Sequence, residues 1–216
     1  MQNPSRSSSA RRGYDARGRQ AEAGARRQRV IDAARELFLE RGFAGTSIAD
    51  VAESARVSPQ MIYASFGGKA GILAGVVDVT AGGDDANILL RERPASVAAL
   101  AAGDPRERLR AIARHAADLN QRVGPVLVLV DSASSADESV AELREQLTSA
   151  MREDSLAVAR ASLRDLRPDR TVEEVADILR TVAGHRTWHS LVVEGGWTQG
   201  RYTAWLEDAL VRLLVD

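Results

Sequence analysis

Apolar residues recur along this chain mostly at spacings of three and four, the signature of helices with one buried face. From about Ala25, the residues Val30, Ile31, Ala34, Leu37 and Phe38 fall on one face of a first helix. Gly42 stands where a left-handed residue ends such a helix. Thr46 and Ser47 offer N-cap oxygens to a second, short helix, whose stripe is Ile48, Val51, Ala52 and Ala55 and whose end lies near Arg56. After a turn through Val57, Ser58 caps a third helix with Pro59 in its first position, where a missing N–H costs no hydrogen bond. Ile62 and Phe66 lie one turn apart and face the first two helices. This order predicts a helix-turn-helix, with Gln60, Met61, Ala64 and part of Tyr63 on the outer face of its third helix.

Beyond Val79 the pattern changes. Gly82, Gly83, Asp84 and Asp85, and the stretch to Pro94, predict a loop or a broken helix. Asp104 and Pro105 open a helix to about Val123, with Leu109, Ile112, Ala116 and Leu119 on one face. "PVLVLV", residues 125–130, fits a strand or a buried helix by periodicity, and its helical neighbours favour helix. Glu138 to about Leu166 predicts one long helix. Thr171 with Glu174 forms a capping box for another that reaches about Glu194, where Gly195 and Gly196 stop it. Thr198 caps a last helix through Tyr202, Trp205, Leu206, Leu210 and Leu213. The expectation is an all-α chain without internal repeats. It comprises a disordered basic arm (1–24), a three-helix helix-turn-helix domain (25–80) and a larger helical domain (81–216).

Charge adds a bias that periodicity does not show. Residues 1–29 carry eight arginines against Asp15 and Glu22, a local net charge of +6 within a chain of net −1. Such an arm is drawn to a polyanion, and its Ser, Gly and Arg cannot build a core; a solvated tail is the alternative. The absence of cysteine excludes disulfides, thiolate metal sites and a cysteine nucleophile. No apolar run approaches the ~20 residues that span a bilayer, and no apolar segment near the start suits a secretory signal. The expected setting is cytoplasmic, with no membrane partner. Among 29 basic residues only Lys69 is lysine, and it follows two glycines at the head of an apolar run.

The segment Arg29 to Leu73, "RVIDAARELFLERGFAGTSIADVAESARVSPQMIYASFGGKAGIL", resembles the DNA-binding domain of the TetR (tetracycline-repressor-like) family of bacterial regulators. The features that carry the resemblance run through the whole segment. They are Ala33-Ala34-x-x-Leu37-Phe38, the Gly42-Phe43 turn, Thr46-Ser47-Ile48-x-Asp50-Val51-Ala52, Val57-Ser58, Ile62-Tyr63-x-x-Phe66, and Lys69 followed by Leu73. The resemblance implies DNA contacts from Thr46, Ser47, Ser58, Pro59, Gln60, Met61, Tyr63, Ala64, Ser65 and Lys69, with Tyr63 and Lys69 on phosphates. Three departures stand out. Arg56 replaces the usual glycine of the turn, Gly67 and Gly68 precede the lysine where a side-chain cap is usual, and Ser65 replaces an aromatic or histidine. Gln60 is then the strongest base reader, matched to adenine. The stretch "VEGGWTQGRYTAWLEDALVRLL" is similar to C-terminal ends within the same family. It implies that the last two helices pair with those of a second subunit through Ile178, Val182, Trp205, Leu206 and Leu210.

Other chemistry is sparse. His185 and His189 stand four apart, a spacing used in zinc sites, but a third ligand is not evident beyond Glu194, and no metal or other cofactor is expected. Ser132, Ser134 and Ser135 lack a Gly-x-Ser-x-Gly elbow, and no phosphate loop is present. Ile112, His115, Leu119 and Met151 are the expected lining of a ligand pocket. The reading is a non-enzymatic regulator, a homodimer that represses from an inverted-repeat operator in double-stranded DNA and is released by a small-molecule effector. The alternatives are an activator, a regulator without a ligand, or an all-α enzyme.

Overall fold

The computed structural model describes residues 7–83, 89–101, 103–162 and 169–215, and among these every regular element is helical. The chain divides into two compact units, Met1–Val76 and Val77–Asp216. The division falls inside a helix, a few residues before the boundary at 80 that the pattern predicts.

In the first unit, α1 (Ser7–Arg41), α2 (Ile48–Ala55), α3 (Pro59–Phe66) and the start of α4 (Lys69–Gly82) surround one core. Val30, Ile31, Ala34 and Phe38 of α1, Val51 and Ala52 of α2, Ile62 of α3, and Ile72, Leu73 and Val76 of α4 are all buried. Each large side chain so removed from water contributes about 1.5–3 kcal/mol. Gly42, at φ 75°, ends α1 as expected, its N–H donating to Phe38 O at 3.0 Å. The beginning of α1 differs from expectation, because the helix starts at Ser7 and not near Ala25. A segment unable to build a core can still form a helix when alanine, arginine, glutamine and glutamate dominate it, since these are strong helix formers. Residues 1–6 of the expected arm lie outside the described residues.

In the second unit α6 (Pro105–Ala133) is central, packed by α5 (Pro94–Leu100), α7 (Glu138–Ser162) and α10 (Gln199–Leu214). The "PVLVLV" segment is helical and continues α6, with Pro125 inside it. Leu109, Ile112, Ala113 and Ala117 of α6 share a core with Leu156, Val175, Leu179, Trp188, Tyr202, Leu206 and Leu210. Asp104, Thr171 with Glu174, and Thr198 cap their helices as predicted, each side chain accepting from a backbone N–H three residues on. Helix α5, opened by Pro94 at its first turn, has no counterpart in the expected pattern. The expected end of α7 near Leu166 lies outside the described residues.

The helix expected from Thr171 to Glu194 is divided. α8 (Val172–Val182) stops, Gly184 begins a short α9 (His185–Trp188), and this passes into a π-helical turn, His189–Glu194. One distant contact and one local contact stabilise the break. Asn120 Nδ2 donates to Ala183 O at 2.8 Å, and Thr187 Oγ1 donates to Thr181 O at 2.6 Å. Trp188 then lies where a Cβ on Gly124 would come within 2.7 Å of its ring, and its indole N–H donates to Gln199 Oε1 at 3.1 Å. Sequence spacing did not reveal the distant partners, Asn120 for Ala183 and Gly124 for Trp188.

Candidate nucleic-acid interface

α3 is a short helix held at both ends. Ser58 Oγ accepts from the Met61 N–H at 3.3 Å, and Gly67, at φ 74°, ends the helix through an N–H to Tyr63 O bond of 2.9 Å. Ile62 points into the core, fully buried, so the opposite face looks outward. Pro59, Gln60, Ala64 and Ser65 are exposed, and the Tyr63 side chain stands out at 56% exposure. Met61 is half-buried, and its sulfur accepts from Ser65 Oγ at 3.4 Å. The face thus offers an amide, a phenol and small residues on a convex rod.

The residues before α3 fix its approach. Ser47 caps α2 in a reciprocal box: its hydroxyl accepts from Asp50 N at 3.1 Å, and its own N–H donates to Asp50 Oδ2 at 2.8 Å. Hydrogen bonds from Ser47 hold the Asp50 carboxyl below the usual carboxylate range. Thr46, expected to touch DNA, is only 1% exposed, with its hydroxyl 2.9 Å from Gly42 O and 3.2 Å from Leu37 O. It closes the turn between α1 and α2 and presents no side chain outward. Arg56 adopts the left-handed conformation, φ 55°, ψ 50°, that its position in the turn suggests.

Lys69 opens α4, yet its ammonium turns back into the unit. Nζ donates to Phe43 O at 2.9 Å and to Thr46 O at 3.0 Å, and lies 4.2 Å from the centre of the Phe43 ring. The expectation had this ammonium on a phosphate. Arg27, counted above only as part of the basic arm, stacks its guanidinium 4.4 Å over Phe66 and donates to Ser65 O at 3.3 Å. It thereby ties α1 to the end of α3. Arg29 Nε donates to Ala55 O at 3.3 Å, at the end of α2. A basic run masks such partners in sequence, because only the fold brings carbonyls 26 and 38 residues away within reach.

In the second unit the expected pocket residues scatter in role. Ile112 belongs to the core, while His115, Leu119 and Met151 are half-buried. His115 Nε2 lies 3.1 Å from Ser96 Oγ, whose proton goes to Leu90 O at 2.6 Å, so the imidazole donates to the serine. Burial pushes the His115 pKa down, helped by Arg122. A groove of about 760 Å³ lies instead between α6 and α10, lined by Arg106, Arg110, Thr203, Glu207 and Arg212 among others, and by none of the four expected residues.

Of the expected pairing surface, Leu206 and Leu210 are 0% exposed and belong to the core of the second unit. They face α6, because on α10 they share a side with Tyr202 and Leu214. Ile178, Val182 and Trp205 remain half-buried, with Trp205 edge-on to Trp197 at 6.1 Å. His185 and His189 do not converge. His185 Nε2 meets Asp131 Oδ2 at 3.0 Å, His189 Nδ1 lies 3.5 Å from Glu194 Oε1, and no cluster of three such ligands occurs among the described residues.

Residues 30–76 match the family model described as "Bacterial regulatory proteins, tetR family". Over that segment the chain is similar to the TetR family. A curated relative, the HTH-type transcriptional repressor BdcR of Escherichia coli (strain K12), is 36% identical over 70 residues. That alignment covers 31% of this chain and 36% of the relative, so the chain spans about a third of that relative's length. Solved structures of TetR-family proteins share the fold over most of both chains. One from Syntrophomonas wolfei superposes with a TM-score of 0.71 at 17% identity, covering 87% of this chain and 94% of that one. A transcriptional regulator from Saccharomonospora viridis, solved in complex with choline, gives 0.65 at 19% identity, over 88% and 97%. Arg56 and the double glycine before Lys69, the departures from the resemblance noted in the sequence, flank α3 on its two sides along the chain.

Proposed function

We propose that the protein is a cytoplasmic transcriptional repressor that binds an inverted-repeat operator as a homodimer and releases it when a small molecule binds the second unit. The exposed face of α3 carries this reading. Ile62 anchors the helix in the core, while Gln60, Tyr63, Ala64 and Ser65 project from its other side and Ser58 stabilises its start. A helix so presented fits the major groove, where its N-terminal residues meet base edges. Gln60 would pair with adenine through two hydrogen bonds, and the Tyr63 hydroxyl would reach a phosphate. One such helix reads few bases, so specificity requires two copies about 34–36 Å apart, or a multiple of that. Ile178, Val182 and Trp205 supply the half-buried apolar surface on which the copies would pair. The similar structure solved with choline supports a small-molecule effector, which we place in the second unit with His115 as polar anchor beside Ile112, Leu119 and Met151.

Selection from random duplexes tests this directly. The expected product is an inverted repeat, and Gln60→Ala should relax preference at one position of each half-site by about 1–3 kcal/mol. Recovery of no repeat would overturn the reading.

A further inference from the structure

The inward turn of Lys69 gives it a role that a phosphate contact does not describe. Two backbone carbonyls converge on its Nζ, those of Phe43 and Thr46, at 2.9 and 3.0 Å, and the Phe43 ring covers another side at 4.2 Å. Both carbonyls belong to the turn that joins α1 to α2. The Thr46 carbonyl shares its peptide unit with the Ser47 N–H, and that N–H donates to Asp50 Oδ2 at 2.8 Å. One peptide plane is therefore held between an ammonium at its oxygen and a carboxylate at its nitrogen. Charged partners at both ends polarise the amide in the same sense and strengthen each bond. This plane is also where α2 begins, so its orientation sets the direction of α2 and the turn that carries α3.

We propose that Lys69 is a positioning residue, an internal lock that fixes the start of α2 against the start of α4 and thereby the angle at which α3 is presented. The inference rests on the DNA-binding reading for its consequence but not for the lock itself. A compact ammonium with tetrahedrally arranged donors can serve two carbonyls and a ring face together. A planar guanidinium, with its fork fixed in one plane, cannot. That distinction accounts for a lysine at this position in a chain whose other 28 basic residues are arginine. The positive end of the α4 dipole disfavours a cation at the helix's first residue, and the two carbonyls offset that repulsion.

The test compares the full chain with Lys69→Met, which keeps the stem without the donors, and Lys69→Arg, which keeps the charge. Without DNA, amide hydrogen exchange is read by NMR. The lock predicts at least tenfold faster exchange at Asp50 and Val51 in both variants, with the α6 core amides unchanged. With a duplex selected by the unsubstituted protein, affinity is measured against salt. Lys69→Met should weaken binding by one factor at all salt concentrations, leaving the slope of log K against log salt intact, and Lys69→Arg should not restore it. A phosphate contact would behave in the opposite way. The slope would fall by about 0.9 for each phosphate lost, arginine would rescue binding, and exchange at α2 would stay as it was; that result overturns the lock. Unchanged exchange in Lys69→Met overturns it without reference to DNA. Should no duplex be selected, the DNA-binding reading fails while the exchange result still decides the lock.

Discussion

Arg56 carries the clearest local strain among the described residues, since it is their one non-glycine with positive φ. A β-carbon in the left-handed region costs about 1–2 kcal/mol, part of which glycine would return as greater freedom in the unfolded chain. Arg56→Gly should therefore stabilise the first unit by ~0.5–1 kcal/mol, read as a higher urea midpoint at unchanged slope. A lower midpoint would show that the exposed guanidinium makes a compensating contact. The sequence pointed to this position only through the family resemblance, which has glycine where Arg56 stands. The buried fate of Thr46 was not legible. A threonine before a capping serine reads as a second cap, and only the folded turn shows its hydroxyl between Leu37 O and Gly42 O.

Whole elements followed from their ends. Ser47 with Asp50, Ser58, Asp104, Thr171 with Glu174, and Thr198 each start a helix where short-range chemistry places one. Breaks imposed by distant groups did not follow, and the division between α8 and α9 is the main case. Asp131 near the end of α6 makes a paired contact with Arg186, at 2.8 and 2.9 Å, and accepts from or pairs with His185 at 3.0 Å, tying α6 to α9. The Arg186 hydrogen bonds, with a smaller contribution from His185, lower the Asp131 pKa from 3.8 to about 2. A folded value below the unfolded one means that the tie stabilises at neutral pH and is lost as pH falls from about 3.8 to about 2. Asp131→Asn should lower the thermal midpoint at pH 7, and the difference from the unsubstituted protein should shrink across that acid range. A difference constant with pH would show that packing, not the carboxylate, holds the two helices.

At the scale of the whole molecule, the chain forms two compact units and its N-terminal segment adds positive charge to the first. Residues 1–24 hold five arginines, Arg6, Arg11, Arg12, Arg17 and Arg19, against Asp15 and Glu22. Deleting them leaves the described core, which begins at Val30, intact. Because counterion release does not depend on base sequence, the truncated protein should bind its duplex more weakly at low salt, with a shallower salt slope, and select the same site. Unaltered binding at low ionic strength would assign the segment no part in DNA binding.

The amino-acid sequence alone determined the all-α class, the helix-turn-helix order of α1 to α3, the outward side of α3 and most of the helix starts. Each of these depends on residues within a turn or two of one another, where periodicity and capping act. Tertiary structure alone decided that Lys69 turns inward, that Arg27 and Arg29 reach Ser65 O and Ala55 O, that Leu206 and Leu210 belong to the core of the second unit, and that the helix after Thr171 breaks at Gly184. The physical reason is common to all four. A cation or an apolar side chain near several possible partners takes the one that desolvates and pairs it best, and for these residues that partner lies far away along the chain.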